Sequence, residues 1–140
     1  MQVLSGIDSL KSDGFRVTKL RKAILNVIYN STSPVTASQI LSRLRKVDLT
    51  PNKSTVYRDL AFFVKNNLIS EVILTSKLVH YESAFLRHHH HLVCTDCGSI
   101  KDVDCSEVEK PLIELKKRIF RSGFDIKNHS LEFYGICSSC

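Results

Sequence analysis

Between residues 88 and 98 the chain reads HHHHLVCTDCG, four imidazoles and two thiols within eleven positions. The run is internal and leads directly into the apolar pair Leu92-Val93, which excludes a purification tag. It is either a hydrated polar patch or a set of metal ligands. The cysteines bear on that choice. Cys94-x-x-Cys97 is repeated in form by Cys137-x-x-Cys140, and each pair sets two thiols on a tight turn. Four sulfurs make a closed tetrahedral set suited to structural Zn(II), with no open position for chemistry. Redox disulfides or unpaired core thiols are the competing readings. Thirty-nine residues separate Cys97 from Cys137, so the elements between them must bring the knuckles together. Cys105 belongs to neither pair and reads as a packed or half-exposed thiol.

If the strand through Leu92-Val93 extends backwards, side chains alternate between its faces. His88 and His90 then point one way, and His89 and His91 the other, so adjacent histidines serve two sites. Partners for them must come from elsewhere: His80 and Glu82 before the run, Glu109 and His129 after it. A solvated histidine patch is the alternative.

The elements that would hold these residues fall into two groups. Leu20, Ile24, Val27 and Ile28 have helical spacing over residues 18–29, and Ser31-Thr32-Ser33-Pro34 breaks it. Thr36 is placed to cap a second helix with the stripe Ile40, Leu41, Leu44 and Val47. After Thr50-Pro51-Asn52, a third helix capped by Asn52 or Ser54 carries Val56, Leu60, Phe63 and Val64 to about Asn66. Two strand-like runs, 69–75 and 78–82, follow around a turn at Ser76-Lys77. Three helices and a hairpin predict a winged helix-turn-helix over 1–83. Residues 84–88 form a hinge. Residues 89–140 predict a small α/β domain: strands at 91–94 and 99–103, a helix over 106–121 with Pro111 in its first turns, and strand character over 124–136. The fold class is α+β.

The chain has 140 residues and a net charge of +6. Residues 1–83 hold 12 Lys/Arg and 6 Asp/Glu, and residues 84–140 hold 8 of each, so the whole excess lies in the first part. An anionic partner for that part, most often nucleic acid, is one reading; simple solubility is the other. No apolar run reaches the ~18 residues of a membrane span and no secretory leader is visible, which predicts an intracellular protein. On the third helix Ser54, Thr55, Tyr57 and Arg58 lie away from the Val56/Leu60/Val64 stripe. Such a face offers an aromatic for a thymine methyl and an arginine for guanine or phosphate, or it is an ordinary solvated surface.

Four segments, GFRVTKLR (14–21), STVYRDL (54–60), HHHHLVCTDCG (88–98) and KNHSLEFYGICSSC (127–140), together resemble the ferric uptake regulator (Fur) family. The resemblance implies a homodimeric, metal-activated, DNA-binding repressor of metal uptake and homeostasis genes in the cytoplasm, and not an enzyme. It implies structural zinc on Cys94, Cys97, Cys137 and Cys140. One regulatory site falls on His88, His90, a helix carboxylate and His129. Counting forward from Cys97 gives that carboxylate as Glu109, with Glu107 and Glu114 in reserve. A second site falls on Glu82, His89 and His91, with a further ligand from the DNA-binding domain. Pro34 stands where many members have that histidine, leaving His80, Glu71 or water to complete the shell. Leu20 replaces the usual proline before Arg21. DNA contacts are implied for Arg16, Tyr57 and Arg58, and Lys53 and Arg21 are expected phosphate partners, on an AT-rich palindromic operator. The regulatory metal is Fe(II) or Zn(II), with Mn(II) also compatible with imidazole and carboxylate. A peroxide sensor of the same family is the nearest alternative, although Glu at the helix position argues against it. A zinc hydrolase or a metal store is the distant one, and either leaves the basic first part without a purpose.

Overall fold

Helices in the first part begin where side chains can satisfy free backbone N–H groups. Helix α2 (Lys19–Tyr29) starts at Thr18, whose hydroxyl accepts from the Arg21 N–H at 3.2 Å. Helix α3 (Ala37–Arg45) starts at Thr36 in a full capping box, with Gln39 returning a bond to the Thr36 N–H. Helix α4 (Lys53–Lys65) is the exception: Asn52 holds the N-cap position, but its side chain makes no bond to the helix, so the expected side-chain cap is not formed. The structure is a computed structural model; it describes residues 2–74, 78–127 and 129–140, with side chains from Gly6 onward. Its contacts divide the chain into two compact units, one ending at Leu86 and the other beginning at Arg87.

In the first unit the predicted stripes become the core. Ile24, Leu25, Ile40, Leu44, Val56, Leu60 and Phe63 are fully enclosed, each contributing about 1.5–3 kcal/mol of apolar burial. Val47 does not join them, because α3 ends at Arg45 and the chain turns through a left-handed Asp48, leaving Val47 exposed. A helix absent from the sequence reading, α1 (Gln2–Ser12), packs Ile7 and Leu10 onto α2. Strands β2 (Ile69–Ile73) and β3 (Val79–Ser83) form the expected antiparallel pair, and β1 (Val35–Thr36) adds a third strand on the other side of β3. The turn expected at Ser76-Lys77 lies outside the described residues.

The second unit is a sheet in the order β5-β4-β6 with one helix. Strand β4 (His90–Cys94) is central, antiparallel to β5 (Ile100–Val103) and parallel to β6 (Glu132–Gly135). Helix α5 (Ser106–Arg121) holds Pro111 in its second turn and has no fully buried residue. Strand character is confined to 132–135 of the expected 124–136.

Candidate metal centres and nucleic-acid face

The two cysteine knuckles meet because β4 and β6 run parallel. Their register pairs Cys94 with Gly135, and the Thr95 N–H donates to the Gly135 carbonyl at 2.8 Å. Cys94–Cys97 and Cys137–Cys140 therefore leave the same end of the sheet. Gly98, at φ +70°, closes the first knuckle with an N–H to the Cys94 carbonyl. The sulfurs lie 3.6 Å (Cys94–Cys140), 3.7 Å (Cys97–Cys137) and 3.3 Å (Cys137–Cys140) apart, and none is in a disulfide. A tetrahedral ion with bonds near 2.3 Å to sulfur needs edges of about 3.8 Å, so the donor set fits Zn(II). The charges point the same way. A hydroxyl bond from Ser139 helps hold the Cys137 thiol down at about 5, whereas bonding to Cys137 pushes Cys140 up to about 12. Four crowded thiols cannot all ionise without a cation among them. Cys105 lies at the N-terminus of α5, half-buried and outside this group.

The second cluster is built on one carboxylate oxygen. Glu109 Oε1 receives Nε2 of His90 at 2.7 Å, of His88 at 3.0 Å and of His129 at 3.0 Å. His90 is buried on β4, His88 precedes that strand, Glu109 sits in the first turn of α5, and His129 precedes β6. The bond from His90, then that from His129, holds the Glu109 carboxyl down at about 2. Glu107 and Glu114 are not in the group, and Glu114 pairs with Lys117 instead. Three imidazoles and a carboxylate suit borderline divalent ions such as Zn(II), Fe(II) and Mn(II).

On the opposite side of β4, His89 and His91 lie ring to ring at 4.8 Å. Each presents Nε2 at 3.9 Å from Asp102 Oδ1 on β5. Sequence reading did not single out Asp102. The signal that would find it is the antiparallel register, which sets Asp102 directly across from His91. Glu82 and His80 belong to β3 of the first unit, on the side opposite the buried Tyr81 and Ser83. Pro34 is buried ahead of β1, and Glu71 is exposed on β2.

On α4, Val56, Asp59, Leu60 and Phe63 face inward, while Lys53, Ser54, Tyr57 and Arg58 are exposed and Thr55 is half-exposed. Arg16 is exposed before α2. Arg21, an expected phosphate partner, also has partners within the first unit. Its Nε donates to Asp59 Oδ1 at 3.0 Å, its Nη1 donates to the Arg16 carbonyl, and the guanidinium lies 3.9 Å above the Phe62 ring. A buried carboxylate needs a charged partner, and Arg21 supplies it, tying α2 to α4.

Known proteins are similar to this chain over most of its length. A family model described as the ferric uptake regulator family matches residues 12–134. The ferric uptake regulation protein of Campylobacter jejuni is 29% identical over 135 residues, covering 94% of this chain and 83% of that protein. The peroxide operon regulator of Bacillus subtilis is 28% identical over 139 residues, covering 99% and 93%. The structure of the Helicobacter pylori ferric uptake regulator Fur, with three functional metal-binding sites, aligns with a TM-score of 0.82 at 27% identity, covering 99% and 93%.

Proposed function

Because this chain belongs to the ferric uptake regulator family, we propose that it is a cytoplasmic homodimeric repressor that binds operator DNA when a regulatory metal is present. The observation that carries this reading is the convergence of His88, His90 and His129 on Glu109. Three imidazoles around one carboxylate form a donor set for a cation, with ligands from separate segments. A bound ion would take the Nε2 lone pairs, with each imidazole keeping its single proton on Nδ1. Zn(II) on the four cysteines is structural, and Fe(II) or Zn(II), with Mn(II) also compatible, is regulatory. His89, His91 and Asp102 supply donors for a second regulatory ion.

Residues 1–83 act as the DNA-binding domain, 84–88 as the hinge and 89–140 as the dimerisation domain. Metal on His88 fixes the last hinge residue and restricts the two basic heads of the dimer. A shift from 1:99 to 99:1 in favour of the binding arrangement needs about 5.5 kcal/mol of differential metal affinity. Exposed Lys53, Ser54, Tyr57 and Arg58 and half-exposed Thr55 on α4, with exposed Arg16 ahead of α2, are the proposed contacts to an AT-rich palindrome. Exposed Leu92, Phe120, Phe133 and Ile136 support dimerisation through the second unit. Gel-shift titration on a palindromic operator, with and without Fe(II) or Zn(II), tests the proposal; equal affinity of the two forms removes the switch.

The similarity to the peroxide operon regulator of Bacillus subtilis supports a second reading, peroxide sensing: His89, His91 and Asp102 would hold Fe(II), which would react with peroxide to oxidise one of the imidazoles. Mass spectrometry after peroxide exposure would then find one added oxygen on His89 or His91, and only in Fe(II)-loaded protein.

A further inference from the structure

Helix α5 shows the cluster a stripe of half-buried residues, Glu109, Leu112, Lys116 and Ile119, at spacings of three and four. Leu112 and Ile119 are ordinary occupants of an inner stripe and Glu109 is the shared acceptor. Lys116 is the unexpected member. Its Nζ lies 2.9 Å from His129 Nδ1, while the other nitrogen of the same ring, Nε2, lies 3.0 Å from Glu109 Oε1.

An ammonium has donors only, so His129 Nδ1 must accept with its lone pair. In a neutral imidazole the single proton then sits on Nε2, where it donates to Glu109. A metal bound through Nε2 needs the lone pair at that atom and the proton at Nδ1. Metal-bound histidines satisfy this by turning the second N–H towards a carboxylate, a carbonyl or water. Here that N–H would meet another donor head-on. The lysine therefore supports the wrong tautomer for ligation, in addition to placing a positive charge beside a cation site. Beside it lies an open cavity of about 360 Å³ lined by Lys116, Lys117, Phe120, Arg121, Asp125 and Ile126, which gives the lysine room to move.

We propose that Lys116 is a resident competitor of the regulatory metal: it holds His129 in the non-ligating tautomer, so the ion must displace it, and it thereby raises the metal concentration at which this cluster fills. The inference rests on the cluster being a metal site. Lys116 is a positioning residue that acts through His129.

The test uses full-length protein with zinc retained on the cysteines. In the metal-free cluster, imidazole ¹⁵N shifts should show His129 protonated at Nε2 in the wild type and in Lys116→Arg, and a mixture of tautomers in Lys116→Met. Co(II) titration against a competing chelator should show Lys116→Met binding on the order of 10-fold more tightly, the scale typical of a ligand's hydrogen-bond partner. Lys116→Arg should stay near the wild type, and the gain should vanish in a His129→Ala background. Equal or weaker Co(II) affinity in Lys116→Met, or a wild-type His129 protonated at Nδ1, overturns the inference alone. Co(II) uptake at the cluster by neither protein overturns the metal-site reading along with it.

Discussion

Glu109 and Arg21 show how one side chain's role is set by what stands opposite it. Spacing pointed to Glu109 on α5 with Glu107 and Glu114 in reserve, and of the three only Glu109 meets His88, His90 and His129. Glu109→Gln should lower metal affinity by more than the ~10–100-fold typical of an outer partner, while Glu107→Gln and Glu114→Gln leave it unchanged; chelator competition on the three variants decides. Arg21 offered no such clue, since a basic residue in a basic segment looks like a phosphate contact. The structure encloses it between Asp59 and Phe62. Arg21→Met should therefore cost about 1.5–3 kcal/mol of stability, the range for a hydrogen bond to a charged group, and leave the salt slope of operator binding intact. Lys53→Ala should do the reverse, with stability unchanged and the slope reduced by about 1. Denaturant melts and binding at several salt concentrations separate the two roles.

At the level of elements, α2 is tied to the rest of the first unit through Tyr29. Its hydroxyl donates to the Leu68 carbonyl at 2.9 Å, and its ring meets Phe85 edge-on. Burial pushes the Tyr29 hydroxyl up from 10.0 to about 12. A raised acid stabilises the fold fully below the unfolded value and loses that contribution as pH climbs towards the folded one. Stability should fall between pH 10 and about 12, and Tyr29→Phe should flatten that part of the profile, as measured by urea midpoints across the window. Helix α1 approaches the same hydroxyl through Gly6, where an added Cβ would lie 2.8 Å from the Tyr29 oxygen. Three helices of this unit were legible from stripes and caps. Helix α1 was passed over although Val3, Leu4, Ile7 and Leu10 recur at helical spacing, because Ser5, Gly6 and Ser9 are weak helix formers and no capping residue precedes it.

The whole molecule distributes its apolar burial unevenly. Of nineteen buried apolar residues among those described, two, Val93 and Cys94, belong to the second unit. A unit of this size with so little core needs other bonds to hold it, and the four-cysteine site is placed to provide them. Stripping zinc with a chelator, or replacing Cys137 by Ser, should melt the second unit while the first unfolds at its usual temperature. Calorimetry should then resolve a transition from the first unit and lose one that depends on metal.

Local rules carried the reading up to this boundary. Alternation along a strand divided the histidines between two faces, paired knuckles announced a thiolate site, and helical stripes marked the core of the first unit, because each depends on neighbours within a few residues. Contacts across long stretches of chain decided the rest. The parallel pairing of β4 with β6 joined cysteine knuckles with 39 residues between them, the β4–β5 register brought Asp102 to His91, and the facing side of α5 chose Glu109 and set Lys116 against His129. Spacing along the chain holds no record of register between strands or of which helix face turns inward, and those two choices determine which donor atoms meet.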